Sequence, residues 1–263
     1  MKLLKTIQIA LLLFIFPSEA FNRGATLTRY PYISKPSVNS VLIAWGTQDS
    51  TDGVVEYGLT SSLGLSAAET DLVILPDIAK TGFLHGVEIT GLEPKTTYFY
   101  QVLSGGDTLS AVETFHTNND TLNPSFDFMI FGDMGGESGT GGQDPQFALR
   151  DRILLLDFDL AILTGDIVYD SGEWQNMDPR HFAPYEDIIK HTAFFPSPGN
   201  HDIETEDGAP YIANFFLPHN NPDSSEFFYS FDYGRTHFIS LDLTAAQQGQ
   251  AVKFDPTTTQ YAW

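Results

Sequence analysis

Three stretches of the sequence, FMIFGDMG (residues 128–135), LAILTGDIVY (residues 160–169) and FFPSPGNHD (residues 194–202), decide the fold of the second half of the chain. Each stretch begins with an apolar run of strand length that leads into a glycine beside an acidic or amide residue. Glycine lets the backbone turn sharply and approach a ligand closely. Because the carboxyl ends of strands in an open α/β sheet collect ligand-binding groups, we expect the three loops to meet at one site.

Helical patterns alternate with these strands, which predicts a layered α/β domain over residues 126–263. The first strand is expected to begin at Phe126, and Pro145 and Pro179 each suit the first turn of a helix. The predicted elements are helices over about 144–156 and 178–189, a strand pair over 227–233 and 237–242, and a helix beginning near Asp255.

The preceding part of the chain has a different pattern, with short alternating segments rich in Val, Ile, Tyr and Thr between turn residues. This pattern predicts an all-β sandwich over residues 21–118, followed by a polar linker over 119–125. The run from Leu92 to Tyr100 resembles the corner and following strand of a fibronectin type III domain. The predicted strands cover residues 40–45, 53–57, 83–89, 97–103 and 111–116.

Residues 1–20 have the pattern of a secretory signal peptide. Lys2 and Lys5 precede an apolar run over 7–16, which Pro17 and small residues ending at Ala20 follow. The run is shorter than the roughly 20 apolar residues of a membrane span. We expect cleavage after Ala20 and a secreted or periplasmic protein with no membrane attachment after cleavage; a buried amino-terminal helix is the alternative.

The composition limits the partners. The 263 residues include 13 basic and 34 acidic side chains, a formal net charge of −21, which repels nucleic acid and anionic membranes. A phosphate-binding site in such a chain needs metal ions to invert the local field. The chain has no cysteine, which excludes cysteine-ligated zinc and thiol catalysis. The sequence does not indicate an oligomeric state.

The three loops contribute donors of one chemical kind, oxygen with an adjacent imidazole. Carboxylate and imidazole groups suit first-row metals, and a tyrosine phenolate favours a strongly Lewis-acidic ion such as ferric iron. A single Gly-Asp pair is most often a turn or a helix cap. Three such loops in order, each after an apolar strand, favour a metal site instead. The donor residues are Asp133, Asp166, Tyr169, Asn200 and His201.

In these motifs the chain resembles the purple acid phosphatase branch of the calcineurin-like metallophosphoesterases. That family has five motifs, Asp-x-Gly, Gly-Asp-x-x-Tyr, Gly-Asn-His-Glu/Asp, Val-x-x-His and Gly-His-x-His. The first three occur here at residues 133–135, 165–169 and 199–202. Larger members also have a fibronectin-like domain in front, so the resemblance covers nearly all of the mature chain.

The resemblance implies a binuclear centre in which Asp133 and Tyr169 bind a ferric ion and Asp166 bridges both ions. Asn200 would bind the second, divalent ion, which is zinc, manganese or iron. His201 would contact the substrate or protonate the leaving group during hydrolysis of a small phosphate ester by a metal-bound hydroxide. Related enzymes outside the branch have a metal-binding histidine where Gly135 stands, so its absence selects the purple branch.

The resemblance also implies three further histidine ligands, from the last two motifs, which we expect beyond Trp263. The α/β domain would then be incomplete in this chain, and the predicted activity would belong to the full-length protein. Two alternatives remain open. One is a phosphodiesterase or nucleotidase of the same fold, and the other is a non-catalytic exported binding module whose working part is the sandwich.

Other polar residues lie outside the ligand motifs, and the sequence allows more than one role for several of them. Asp170, Glu173 and Trp174 either line the pocket rim or form an exposed loop with one anchoring indole. Asp242 either supports the ligands from behind or belongs to a turn, and residues 204–207 are expected to form a solvated acidic loop. None of the remaining histidines fits the missing motifs, and we expect them to be structural or surface residues: His85, His116, His181, His191, His219 and His237.

Overall fold

A computed structural model of the chain describes residues 24–122, 125–136, 144–244 and 255–263. The predicted signal peptide and its cleavage site therefore lie outside the described residues. Within the described residues, no helix combines the length and the apolar character that crossing a bilayer requires.

The amino-terminal part is a β-sandwich of two antiparallel sheets, as predicted. One sheet has the strand order β1-β2-β6-β5, and the other has the order β4-β3-β7-β8 with β9 also paired to β7. The strands are β1 (Leu27–Ser34), β2 (Ser40–Thr47), β3 (Gly53–Gly58), β4 (Leu65–Ala68), β5 (Asp71–Ile74), β6 (Phe83–Thr90), β7 (Thr97–Ser104), β8 (Asp107–Thr108) and β9 (Glu113–His116).

The core of the sandwich forms where alternate side chains of the two sheets meet. Trp45, Val55, Tyr100 and Phe115 are completely buried there. The indole nitrogen of Trp45 donates to Oγ of Ser104 at 3.1 Å and so links the two sheets. The one polar group of the largest core side chain is thus satisfied, as a buried indole requires.

The second part of the chain contains a parallel three-stranded sheet with the order β10-β11-β12. The central strand is almost fully buried, whereas the edge strand exposes Phe128 and Ile130. The elements are β10 (Phe128–Phe131), α1 (Asp144–Ile153), β11 (Leu160–Leu163), a π-helical turn (Asp178–Phe182), α2 (Ala183–Ile189), β12 (Ala193–Pro196), α3 (Ala209–Asn214), the hairpin strands β13 (Tyr229–Tyr233) and β14 (Thr236–Ser240), and α4 (Thr259–Ala262).

Several predicted boundaries in this domain were wrong by a few residues. The hairpin strands predicted over 227–233 and 237–242 are Tyr229–Tyr233 and Thr236–Ser240. The strand predicted from Phe126 begins at Phe128, because the Asp127 amide bonds the Asp159 carboxylate instead of a neighbouring strand. The first helix ends at Ile153 and not at Leu156, and tighter turns follow it. The last helix begins at Thr259 and not near Asp255, with the Thr258 side chain as its cap.

The two parts of the chain are joined by polar contacts on several elements. The hydroxyl of Tyr32 donates to the backbone oxygen of Asn214 at 2.7 Å, and that of Tyr100 donates to the backbone oxygen of Lys190 at 2.7 Å. Asn118, at the end of the sandwich, is buried and donates to the backbone oxygens of Pro36 and Asp232. The polar residues before the predicted linker are therefore part of a packed interface.

Candidate metal centre

The three glycine-containing loops meet at the carboxyl end of the parallel sheet, as the sequence predicts. Phe128 pairs with Leu160, and Leu160 pairs with Ala193, so the strands are in register and end side by side. The Asp133 amide donates to the backbone oxygen of Gly165 at 3.1 Å, which joins the first loop to the second. Parallel pairing thus converts three distant sequence motifs into one site.

The glycines allow the loops to approach at distances that no side chain would permit. A Cβ atom on Gly199 would lie 2.2 Å from the amide nitrogen of Asp166, and one on Gly135 would lie 2.2 Å from the backbone oxygen of Ile167. These are clashes with backbone, so the neighbouring loop itself would have to move. The short loops form a cradle in which the carboxylates are held by close-packed main chain.

Two of the predicted ligands have an unusual backbone conformation. Asp133 has φ 52° and Asp166 has φ 51°, both in the left-handed region that residues with side chains rarely occupy. Such strain persists only where the surrounding structure holds it, and it concentrates at functional sites. The conformation turns both carboxylates toward the same phenol.

That phenol belongs to Tyr169. Its hydroxyl lies 2.7 Å from Oδ1 of Asp133 and 3.0 Å from Oδ2 of Asp166. Burial, together with the hydrogen bonds to Asp133 and Asp166, raises the pKa of the Tyr169 phenol well above its ordinary value. In the absence of a metal ion the phenol therefore keeps its proton and serves as a donor to both acids.

Asn200 and His201 lie on the third loop and complete the predicted set. Asn200 lines a cavity of about 260 Å³ together with Asp133 and Asp166. The amide of His201 donates to Oδ1 of Asp166 at 3.1 Å, and its ring lies 4.5 Å from the ring of Tyr169. The structure thus brings all five predicted residues together, while the role of each stays a prediction.

The imidazole of His201 is oriented by the second loop. Its Nδ1 contacts the backbone oxygen of Asp170, and since a carbonyl oxygen can only accept, Nδ1 carries the proton. The other ring nitrogen, Nε2, is then the atom available to a bound ligand. This arrangement suits a group that exchanges a proton with substrate.

Asp202 is the last residue of the third motif, but the sequence predicted no role for it. It is 1% exposed, and its Oδ1 accepts from the amides of Ile167 and Val168 at 2.9 and 3.1 Å. Its Oδ2 accepts from the amide of Gly199 at 2.8 Å. Burial raises the pKa of the Asp202 carboxyl to about 6, although the three amides act in the opposite direction. Asp202 therefore ties the second loop to the third from behind.

The donor set fits a hard metal ion: two carboxylates and one amide side chain line the cavity, and a phenol contacts both carboxylates. In the described part of the chain, no cluster of three or more His, Asp or Glu side chains suited to a metal ion is found. Among the described donors, the Asp166 carboxylate contacts both the Tyr169 hydroxyl and the backbone amide of His201.

The loop after Tyr169 is ordered by its own side chains. Trp174 is buried, and its indole nitrogen donates to Oε2 of Glu206 at 3.2 Å. Glu173 accepts from the Ser171 amide at 3.1 Å, and Glu204 accepts from the Ser171 hydroxyl at 2.7 Å. Residues 204–207 are solvated as predicted, but two of their acids also fix this rim.

The remaining polar residues have structural contacts. The carboxylate of Asp242 accepts from the amide and hydroxyl of Thr244, which supports the turn reading. His181 is buried among aromatic rings, and His191 bonds the backbone oxygen of Thr114 at 2.9 Å. His237 pairs with Asp232 at 2.7 Å on the β-hairpin.

A larger cavity of about 400 Å³ lies at the opposite, amino end of the strands, near Asp127 and Asp159. It has acidic and apolar walls without the close-packed glycine loops that define the first cavity. Since ligand sites in open α/β sheets form at the carboxyl ends of the strands, we assign the candidate centre to the smaller cavity.

Comparison with known proteins gives matches over both parts of the chain. The family described as "Purple acid Phosphatase, N-terminal domain" matches residues 31–117, and the family described as "Calcineurin-like phosphoesterase" matches residues 126–255. The chain is 28% identical over 240 residues to acid phosphatase type 7 of Danio rerio, an alignment that covers 88% of this chain and 52% of the relative. It is 27% identical over 241 residues to purple acid phosphatase 22 of Arabidopsis thaliana, covering 88% and 51%.

The chain thus spans about half the length of the curated relatives it matches. Among solved structures, purple acid phosphatase PPD1 from yellow lupin (Lupinus luteus) seeds superposes with a TM-score of 0.71 and 21% sequence identity. That superposition covers 90% of this chain and 47% of the lupin chain. This likeness confirms the predicted fold, a β-sandwich followed by an α/β domain.

Proposed function

Since the chain belongs to the purple acid phosphatase family, we propose that the full-length protein is a metal-dependent acid phosphatase that hydrolyses small phosphate monoesters. The observation that carries the proposal is the Tyr169 hydroxyl, which lies within hydrogen-bond distance of both Asp133 and Asp166. A phenol between two carboxylates is a suitable environment for a ferric ion, because all three donors are hard oxygens.

The proposed centre is binuclear. Asp133 and Tyr169 would hold a ferric ion, Asp166 would bridge, and Asn200 would bind a divalent zinc, manganese or iron ion. When bound, such a pair of ions polarises the phosphoryl oxygens and activates water for in-line attack. The positive ions also offset the negative field of a chain whose formal net charge is −21.

His201 is the proposed proton donor to the leaving group. Its Nδ1–H is held by the backbone oxygen of Asp170, so in the imidazolium form the second proton, on Nε2, is the one that would pass to the departing alkoxide and leave a neutral ring. Imidazole is suited to this step because it can hold a proton on either ring nitrogen and so can act as a general acid. His201 acts on the substrate, in this proposal, without serving as a metal ligand.

The proposed setting is outside the cytoplasm, either secreted or periplasmic. The amino-terminal pattern of Lys2, Lys5 and the apolar run over 7–16 supports export. The acidic charge disfavours nucleic acid and anionic membrane surfaces as partners. The proposed partner is a small phosphate ester, whose negative charge the metal ions would offset.

The test is hydrolysis by the metal-stripped full-length protein after it is reloaded with iron plus zinc or manganese. We expect release of p-nitrophenol from p-nitrophenyl phosphate at acidic pH, and loss of that release in Asp166→Asn. Preferential hydrolysis of bis(p-nitrophenyl) phosphate would instead support a phosphodiesterase. A protein that is inert toward both esters with every metal pair contradicts the proposal and leaves the binding-module alternative.

A further inference from the structure

One helical turn connects the β-sandwich to the candidate metal centre. This π-helical turn, Asp178–Phe182, is five residues long and leads directly into α2. Asp178 at its start contacts the sandwich, and Arg180 in its middle contacts the loops of the centre. A rigid segment this short transmits the position of one end to the other, because few dihedral angles lie between them.

The sandwich end of the turn is fixed by a paired, buried arginine. Nε of Arg29 lies 2.6 Å from Oδ1 of Asp178, and Nη2 lies 3.1 Å from Oδ2. Arg29 is 3% exposed, and its guanidinium lies 3.7 Å from the ring centre of Phe182. The hydroxyl of Thr81 also donates to Asp178. A two-point guanidinium–carboxylate pair fixes direction as well as distance.

Arg180, in the middle of the turn, binds two loops of the candidate metal centre with one side chain. Nη1 of Arg180 donates to the backbone oxygen of Gly136 at 2.6 Å and to that of Tyr169 at 2.7 Å. Gly136 follows the first motif and Tyr169 ends the second, so the guanidinium bridges them. The side chain amide of Gln146 donates to the backbone oxygen of Arg180 and supports the turn from α1.

The hydrogen bond from Arg180 holds the main chain of Tyr169, the residue on which the proposed metal chemistry depends most. The Tyr169 phenol reaches Asp133 and Asp166 only if its backbone stays at the present distance from the first loop. Bonds from a charged donor are stronger than neutral ones, and both bonds of Arg180 are partly shielded from water. The ammonium of a lysine is one point charge on a flexible stem and would hold the two carbonyls less firmly.

We propose that Arg180 is a positioning residue that holds Tyr169 against the first loop, and that the sandwich, through Arg29 and Asp178, sets the position of Arg180. The inference rests on the proposed function, because it treats Tyr169 as a metal ligand. It assigns the sandwich a part in the chemistry: the domain that lacks the ligands helps to place one of them.

The test is amide hydrogen exchange of the metal-free full-length protein, read at Asp133 and Met134. Their amides donate to the backbone oxygens of Gly165 and Asp166, so they report the contact between the two loops. In Arg180→Met we expect exchange at these amides to accelerate by about tenfold or more, since a charge-assisted hydrogen bond is lost. Amides of β2 in the sandwich core are expected to keep the wild-type rate, which separates repositioning from general destabilisation.

Two further variants complete this test. In Arg180→Lys the exchange rates of the Asp133 and Met134 amides should lie between those of the wild type and Arg180→Met. If the methionine variant does not fold, the lysine variant provides the measurement. Arg150→Met is the matched control, because Arg150 pairs with Asp151 on the surface of α1 and contacts neither loop. We expect it to leave the loop amides unchanged.

Coupling to the sandwich is tested with Arg29→Met, whose side chain still covers Phe182. Alone it should accelerate exchange at Asp133 and Met134, and combined with Arg180→Met it should add little, because both act through one turn. Tyr100→Phe is its control, since it removes an interdomain hydrogen bond, to the backbone oxygen of Lys190, that involves neither Arg29 nor the π-helical turn. Binding of Zn²⁺ alone, measured by calorimetry, should weaken in Arg180→Met and Arg29→Met but not in the controls.

Unchanged loop exchange in both Arg180 variants overturns the proposal, and so does acceleration that is uniform across the domain. Fully additive effects of Arg29→Met and Arg180→Met overturn the part assigned to the sandwich. None of these measurements reads ester hydrolysis, so a failure of the proposed function appears separately, in its own assay.

Discussion

The hydroxyl of Tyr169 lies 2.7 Å from Oδ1 of Asp133, a contact between two residues that are 36 positions apart in the chain. The same hydroxyl lies 3.0 Å from Oδ2 of Asp166. Three oxygen donors from two loops are thus gathered before any ion binds. The proposed metal chemistry depends on this arrangement, and the predictions below test its parts.

Replacing Asp133 by Asn should separate metal binding from folding. The amide oxygen of Asn can still accept the Tyr169 hydrogen bond, but the charge is gone. We expect the free energy of unfolding of the metal-free protein to change by less than about 1 kcal/mol, and metal affinity to fall more than about a hundredfold. Urea unfolding and calorimetric titration with Zn²⁺ measure the two quantities. Unchanged affinity would remove Asp133 from the ligand set.

Gly199→Ala should disturb the centre through the main chain. The new Cβ would lie 2.2 Å from both the amide nitrogen and Oδ1 of Asp166. We expect a loss of about 1–3 kcal/mol in stability, as for other overpacked sites, together with loss of metal binding. Gly91→Ala is the control, because its Cβ meets nothing within 4 Å and the change costs only the strain of a φ of 76°. If Gly199→Ala binds metal as tightly as the wild type, the close packing of the glycine loops is not needed to position the ligands.

Asp202 should prove essential for holding the second and third loops together. Asp202→Ala leaves the amides of Ile167, Val168 and Gly199 without their acceptor, at a cost of about 1–3 kcal/mol for each group that stays buried. Asp202→Asn keeps one acceptor oxygen, so its stability should be intermediate. Urea unfolding of the three proteins checks this order. An alanine variant as stable as the wild type would show that the loops hold without Asp202.

The buried His181 should make the metal-free protein sensitive to acid. Burial lowers the pKa of its imidazole to about 3, and the charge of Arg29 acts in the same direction while Asp178 opposes it. The unfolded chain takes up this proton near pH 6.5, but the folded chain does so only near pH 3. The contribution of His181 to the free energy of unfolding is therefore fully present above about pH 6.5. It is lost as the pH falls below that value, by up to about 1.4 kcal/mol per pH unit.

In His181→Phe this contribution disappears, and the ring is replaced by one that suits the surrounding aromatic side chains. As the pH falls from 6.5 to 4, the free energy of unfolding should then decrease less steeply than in the wild type. The difference between the two slopes against pH should correspond to the uptake of about one proton on unfolding. Denaturant unfolding at a series of pH values gives that slope. Parallel curves for the two proteins would show that His181 takes up its proton equally in both states.

Much of the fold was predictable, because the decisive elements have strong local patterns. The five predicted sandwich strands all occur, with ends that differ by two residues or fewer. Strands β1, β4, β5 and β8 were not delimited. In β4 and β5 most side chains are exposed and give no alternation. The turn before α2 was predicted only as part of a helix, since its π-helical form depends on tertiary contacts.

The candidate site also contains residues that the sequence could identify and residues whose contacts it could not. Asp133, Asp166, Tyr169, Asn200 and His201 could be identified because each stands beside a strand end in a short motif. Asp202 and Arg180 act through backbone atoms of other loops, at sequence distances of 35 and 11 residues for the contacts with Ile167 and Tyr169. Arg180 stands in no motif, and Asp202 stands in the third motif but without a predicted role. Their bonds to backbone atoms of distant loops leave no periodic or spacing signal, so only the structure could reveal these contacts.

The central claim is that Tyr169 is a ligand of a ferric ion, and one measurement tests it most directly. The full-length protein, loaded with iron, should absorb visible light through an iron–tyrosinate, and Tyr169→Phe should remove that band while leaving the protein folded. Tyr185→Phe is the matched control, because its hydroxyl faces the backbone oxygen of Met134 at 3.5 Å and not the carboxylates. A visible band that survives Tyr169→Phe, or a colourless wild type with iron bound, would contradict the account.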